Sequence, residues 1–202
     1  MCSSDLGGHE VVVYARTPQK ADGLPAIQAP DIASACDGAD VVVLSVTDSE
    51  DVLEVVHLAT STGAAPPIII DTSTIAPAAA REAAAIAAAS GSEYLDCPVS
   101  GGPPGAEAGT LAVMCGGSDT GVALAAPILD LIGDPGKRVH CGPVGSGLVA
   151  KLVNNLLVAA ISAATAEAFG IGQRAGVPPE VLARVVMASS GDSWQLRNLF
   201  PR

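Results

Sequence analysis

Apolar residues in the first two thirds of the chain gather in short runs that alternate with stretches at helical spacing. Glu10-Val11-Val12-Val13-Tyr14 predicts a strand, and Asp40 to Val46 and Ile68-Ile69-Ile70 predict two more, continuously apolar as strands buried on both faces are. Asp31 can cap a brief helix through Cys36, and Asp48 or Ser49 can cap one carrying Val52, Leu53, Val55, Val56 and Leu58. Pro77 opens an Ala-rich helix to about Ala89, and Ser73 or Thr74 just ahead of it could serve as its cap. Glu93 to Cys97, Leu111 to Cys115 and Arg138 to Cys141 predict further strands, with a helix from Gly121 to Ile132. Such alternation predicts an open, doubly wound parallel α/β sheet. From Gly147 onward the pattern is helical only, broken at Gly176-Val177-Pro178-Pro179 and near Ser189-Ser190-Gly191.

The class changes near Gly142. Residues 1–142 are therefore expected to form a Rossmann-like nucleotide-binding domain, and residues 143–202 the first helices of an all-α domain. The Gly-rich fingerprint that should precede such a sheet's second strand is missing; only Gly7-Gly8-His9 stands before Glu10, and Met1 to Leu6 has no periodic pattern. The sheet is thus expected to lack its first strand.

Composition narrows the chemistry. Hydrophobic residues make up 49% of the chain but aromatic residues only 2%, so the core must be built from Ala, Val, Leu and Ile. A formal net charge of -11 argues against a nucleic-acid groove and leaves small molecules as the expected partners. Five dispersed cysteines (Cys2, Cys36, Cys97, Cys115, Cys141) show no metal-ligand spacing, which points to reduced thiols, no metal and a cytoplasmic setting. The longest apolar stretch, Leu156 to Ala166, is too short to span a bilayer, so no membrane partner is expected.

Four stretches carry candidate chemistry. Where an acid would bind the free ribose 2′-hydroxyl of NAD, the chain reads Ala15-Arg16-Thr17, which points to the 2′-phosphate of NADP; an ordinary solvated Arg is the alternative. Asp71-Thr72-Ser73-Thr74 sits at a strand end, where hydroxyls can reach a cofactor. Ser100-Gly101-Gly102 offers consecutive unobstructed backbone N–H groups suited to a carboxylate, or is a plain connector. Last comes GPVGSGLVAKLVNN, from Gly142 to Asn155, in which a Gly-rich turn opens onto an apolar helix. Lys151 and Asn155 share one face there, as an acid/base lysine and its positioning amide would, or Lys151 snorkels to water along its stem. His57, His140 and Glu167 have no partner at catalytic spacing and read as structural or solvated.

The order and spacing of GHEVVVYARTP, DTSTIAP, DCPVSGGPPGAEAGTLAVMCGG, GPVGSGLVAKLVNN and SSGDSWQLRN resemble the β-hydroxyacid dehydrogenase family, which includes 3-hydroxyisobutyrate dehydrogenase and tartronate semialdehyde reductase. The resemblance runs from about Gly8 to Pro201. It implies an oxidoreductase that interconverts a small β-hydroxy acid and its aldehyde or keto acid with NADP, or with NAD. Lys151 would match the catalytic lysine and Asn155 the asparagine that holds it in register with substrate. Ser100, Gly101 and Gly102 would match the substrate-carboxylate loop, Thr74 the contact to the nicotinamide ribose, and Arg16 and Thr17 the 2′-phosphate clamp. Family members begin with a strand and GxGxxG and continue past the position of Pro201. The chain as given is therefore expected to act weakly or not at all, and to form a homo-oligomer when full-length. An imine reductase of the same architecture, and a non-catalytic NADP-binding or oligomerisation module, are the alternatives.

Overall fold

The structure is a computed structural model that describes residues 7–61 and 65–199; Cys2, within Met1 to Leu6, lies outside them. The chain divides into two compact units, Met1–Lys151 and Leu152–Arg202. The change of class expected at Gly142 falls at the turn just before the long helix, and the units meet nine residues later, inside that helix.

In the first unit, β1 (Val12–Val13) pairs in parallel with β2 (Ile27–Gln28) in a sheet of their own. This is shorter than the strand expected over Glu10 to Tyr14, and β2 has no apolar run that would have announced it. After α1 (Ile32–Cys36), whose cap Asp31 accepts from the Ser34 N–H at 2.7 Å, the chain enters a six-stranded sheet. β3 (Val41–Leu44), β4 (Ile68–Asp71) and β5 (Glu93–Asp96) run parallel in that order, linked by α2 (Ser49–Ser61) and α3 (Pro77–Ala89).

The sheet is parallel over these strands, as the alternation of elements predicts, and gains an antiparallel member beyond them. β5 bends at Cys97-Pro98 into β6 (Val99–Ser100), and both lie antiparallel along β7 (Leu111–Gly116). The link between β6 and β7 is the short helix α4 (Gly102–Glu107), too brief for the crossover that a parallel pair needs. After α5 (Asp119–Ile132), β8 (Gly133–Gly142) returns parallel to β7.

Alternation along β4 builds two cores. Ile69 packs with Val52, Val56, Ala80, Ala83 and Tyr94 beneath α2 and α3, while Ile68 and Ile70 pack with Leu95, Val113, Ala125 and Leu129 on the α5 side. The sheet is thus covered on both faces, as a doubly wound fold requires. The alanines of α3 bury Ala79, Ala80, Ala83 and Ala87 at helical spacing, which substitutes close approach for side-chain bulk.

The second unit holds most of α6 (Ser146–Arg174), then α7 (Pro179–Met187) and α8 (Trp194–Leu199), around a small core of Phe169, Ala183 and Leu196. Gly172 lets α7 approach, since a Cβ there would lie 2.6 Å from a Leu182 methyl. At 29 residues, with a mean hydropathy of 1.6 over its most apolar 18, α6 is long and apolar enough to cross a membrane by length and composition, although its uninterrupted apolar run is shorter. The helix begins ten residues before that run, at Ser146, and continues past it from Glu167 to Arg174.

Candidate active site

β4 ends in Asp71 and β5 in Asp96, side by side in parallel register and both buried. Two adjacent buried carboxyls are tolerated only when each is supplied with donors. Asp71 accepts from the Ser73 N–H at 2.8 Å and from the Tyr94 hydroxyl at 2.6 Å. Asp96 accepts through Oδ1 from the Gly145 N–H at 2.7 Å and through Oδ2 from the Leu148 N–H at 2.9 Å. Burial pushes the Asp96 carboxyl above its ordinary range, with the two N–H bonds pulling the other way. Burial and the Asp71 charge drive the Tyr94 hydroxyl far up, so it remains a donor.

Gly145 and Leu148 flank the start of α6, so Asp96 fastens that helix end to the end of β5. The N-terminal N–H groups of a helix lack partners within it and carry partial positive charge, where a carboxylate is stabilising. The contact is close. A Cβ on Gly147 would sit 2.3 Å from the Met114 carbonyl oxygen and 2.7 Å from that of Asp96, so only glycine lets the backbone pass. Lys151 follows Leu148 by three residues and is half-buried, and burial lowers its pKa from the ordinary lysine range. Asn155 lies one helical turn farther along α6, exposed and in the second unit.

The hydroxyls after β4 divide their work. Thr72 donates to the Leu44 carbonyl at 2.7 Å and Ser73 accepts from the Val46 N–H at 2.9 Å, tying β4 to β3. Thr74 is exposed. Neither Ser73 nor Thr74 caps α3; its first flanking residue is Ala76, with no side-chain cap. Ser100 closes β6, and Gly101 and Gly102 follow, exposed, with φ of +143° and +64°. Cys97, just after β5, lies across from Cys115 on β7, and its bond to Cys115 together with burial raises the Cys97 thiol, while the same bond lowers that of Cys115.

At the other sheet, a cleft of about 350 Å³ is lined by Val13, Tyr14, Ala15, Pro18, Gln28 and Pro30 among others. Arg16 and Thr17 stand between Ala15 and Pro18, both exposed, and the Arg16 guanidinium pairs with the Asp51 carboxylate on α2. Among the described residues, no cluster of His, Cys, Asp or Glu could hold a metal ion.

Comparison with known proteins gives the family. Residues 5–145 match the NAD binding domain of 6-phosphogluconate dehydrogenase, and residues 145–202 match the family described as NAD-binding of NADP-dependent 3-hydroxyisobutyrate dehydrogenase. The chain belongs to the β-hydroxyacid dehydrogenase family. Within this family, it is 42% identical to 3-hydroxyisobutyrate dehydrogenase from Pseudomonas aeruginosa, over 96% of this chain and 66% of that protein. It is 38% identical to the NAD-dependent L-serine dehydrogenase of the same organism, over 94% and 65%. The solved structure of Mycobacterium tuberculosis 3-hydroxyisobutyrate dehydrogenase with L-serine superposes with a TM-score of 0.87 at 34% identity, over 95% of this chain and 66% of that one. The chain thus spans just under two thirds of the length of these β-hydroxyacid dehydrogenase relatives.

Sequence reading missed Asp71, Tyr94, Asp96 and Asp51. Asp71 had a visible signal, an acid closing an otherwise apolar strand, whereas Asp96 closes a mixed strand that begins with Glu93. Asp51 had none, because an acid in the first turn of a helix is expected for the dipole alone.

Proposed function

We propose that the full-length protein carrying this chain is an oxidoreductase that interconverts a small β-hydroxy acid and its aldehyde or keto acid with NADP(H), NAD(H) being the second candidate. The observation that carries this reading is Lys151. It is half-buried, its pKa is lowered by burial, and the helix that bears it is bonded at its start to a buried carboxyl of the sheet. Lys151 accepts the hydroxyl proton as the substrate is oxidised and returns it in reduction. Asn155 holds the reacting oxygen in register. Ser100 and the Gly101 and Gly102 N–H groups take the substrate carboxylate. Thr74 meets the nicotinamide ribose, and Arg16 and Thr17 the adenosine ribose and its 2′-substituent. A bound nicotinamide supplies the hydride acceptor or donor. The cleft beside Arg16 supports this reading, since its apolar lining and volume suit the adenosine end of a dinucleotide.

The test is a substrate panel on the full-length protein, following reduced nicotinamide by absorbance. Turnover of 3-hydroxyisobutyrate, L-serine or a related hydroxy acid is expected, with none of a cyclic imine. Turnover of the imine alone would replace the hydroxy acid by the imine reductase reading, and cofactor binding without any turnover would favour a non-catalytic module.

The family's second unit bears on assembly. Helix α6 leaves Leu152, Val153, Leu156, Leu157 and Ile171 exposed, side chains whose burial is worth about 25 cal/mol per Å². A second copy of the protein covering them is the reading we adopt. Light scattering of the full-length protein should return a dimer or larger; a monomer at micromolar concentration contradicts it.

A further inference from the structure

We infer that Asp51 is a specificity-determining residue for the cofactor, a carboxylate that weakens discrimination in favour of NADP by occupying Arg16 and accepting from a free ribose 2′-hydroxyl. This rests on the reading of Arg16 as the residue at the adenosine ribose. In a doubly wound sheet, an acid just past the second strand binds the two ribose hydroxyls of NAD, and its replacement by Arg favours the 2′-phosphate. At that place this chain has Ala15 and Arg16, and by that rule alone it favours NADP.

The fold restores an acid from elsewhere. Asp51 stands in the first turn of α2, its N–H bonded to Asp48 Oδ1 at 3.0 Å, and its side chain is largely buried at 14% exposed. It reaches across 35 residues of sequence to the Arg16 guanidinium, whose side chain is 72% exposed beside the cleft. Asp48 and Glu54 also lie close enough to act on Arg16. One guanidinium thus pairs with a single carboxylate within the field of two more.

That arrangement treats the two cofactors differently. A 2′-phosphate carries about two negative charges near neutrality; it must share Arg16 with Asp51 and approach a site whose local charge is negative. A 2′-hydroxyl is neutral and can donate to the Asp51 carboxylate while Arg16 holds that carboxylate in place. The helix-dipole role of an acid in the first turn does not account for the pairing, because Glu50 beside it fills that role without reaching Arg16.

The experiment measures equilibrium dissociation constants of NAD+ and NADP+ for the full-length protein, wild type, Asp51→Asn and Glu54→Gln. The ratio Kd(NAD+)/Kd(NADP+) is expected to rise about five- to tenfold in Asp51→Asn, with a smaller rise in Glu54→Gln. Raising the salt concentration should shrink both differences, as screening demands. An unchanged ratio in Asp51→Asn, with both cofactors still bound, overturns the role of Asp51 and leaves the cofactor reading intact. Failure of the wild type to bind either dinucleotide overturns both together. Thermal melts of the variants matching wild type would show that the ratio reports recognition rather than folding.

Discussion

Replacing Lys151 by alanine in the full-length protein is expected to lower kcat for hydroxy-acid oxidation by about 100- to 10,000-fold, the range that a positioned general base supplies. The dissociation constant of reduced cofactor should change little, because Lys151 lies on α6 and the cofactor contacts proposed above come from β1, β4 and their following turns. The loss belongs in kcat, as for a group that acts mainly in the transition state. The pH profile gives the second readout. A lysine must be neutral to accept a proton, so oxidation should rise with pH along a limb set by Lys151. Burial favours the neutral form, which places that limb below the value of about 10.4 for a free lysine. Retention of wild-type turnover by Lys151→Ala, or an unshifted limb, would remove Lys151 from the chemistry.

Asp96→Asn carries the largest expected effect on stability, a loss of about 2–3 kcal/mol by denaturant unfolding followed by circular dichroism. The substitution is nearly isosteric, yet one of its two terminal atoms becomes an NH₂ group with no lone pair to offer. It would face either the Gly145 or the Leu148 N–H, leaving a buried donor unpaired beside another donor. Wild type should also show a pH trend that the variant lacks. The Asp96 carboxyl is raised in the folded protein, so its contribution is fully present below the unfolded carboxyl value near 3.9 and declines as pH rises through the higher folded value. A protonated carboxyl still accepts at both oxygens, which the amide cannot do. Equal stability of the two proteins across this range would show that the α6 start is held by packing of Leu148 alone.

Much of the architecture was legible because apolar runs and capping residues are local signals. Ile68-Ile69-Ile70 announced a strand covered on both faces, and Asp31 and Pro77 opened helices where the structure has them. The reversal between β6 and β7 was not legible, because Val99 and Ser100 make only a two-residue strand and the direction of pairing is settled by the length of the following link. The site divides the same way. Lys151 stood out as a cation on an apolar helix, a cost that invites explanation in any context. Ser73 was read as a ligand-facing hydroxyl or a helix cap, and it serves instead as an acceptor for the Val46 N–H, a pairing across 27 residues that no window of sequence reveals. Arg16 reads in sequence as a contact for the 2′-phosphate or as a solvated Arg, and neither reading supplies its counter-charge, which comes from a helix 35 residues on.

The fastening of α6 has one further property. Both donors to Asp96 are main-chain N–H groups, which every residue but proline carries, so their supply is indifferent to side-chain substitution at Gly145 and Leu148. Tolerance there is limited by space and backbone angle: Gly145 holds φ of +94°, and Gly147 admits no Cβ. The acceptor has no such insurance, since only a carboxylate side chain of that length offers two oxygens at that depth. In a deep mutational scan, position 96 should therefore accept almost nothing, position 145 should reject bulk rather than charge, and second-site revertants of Asp96 variants should be absent from residues 145 and 148.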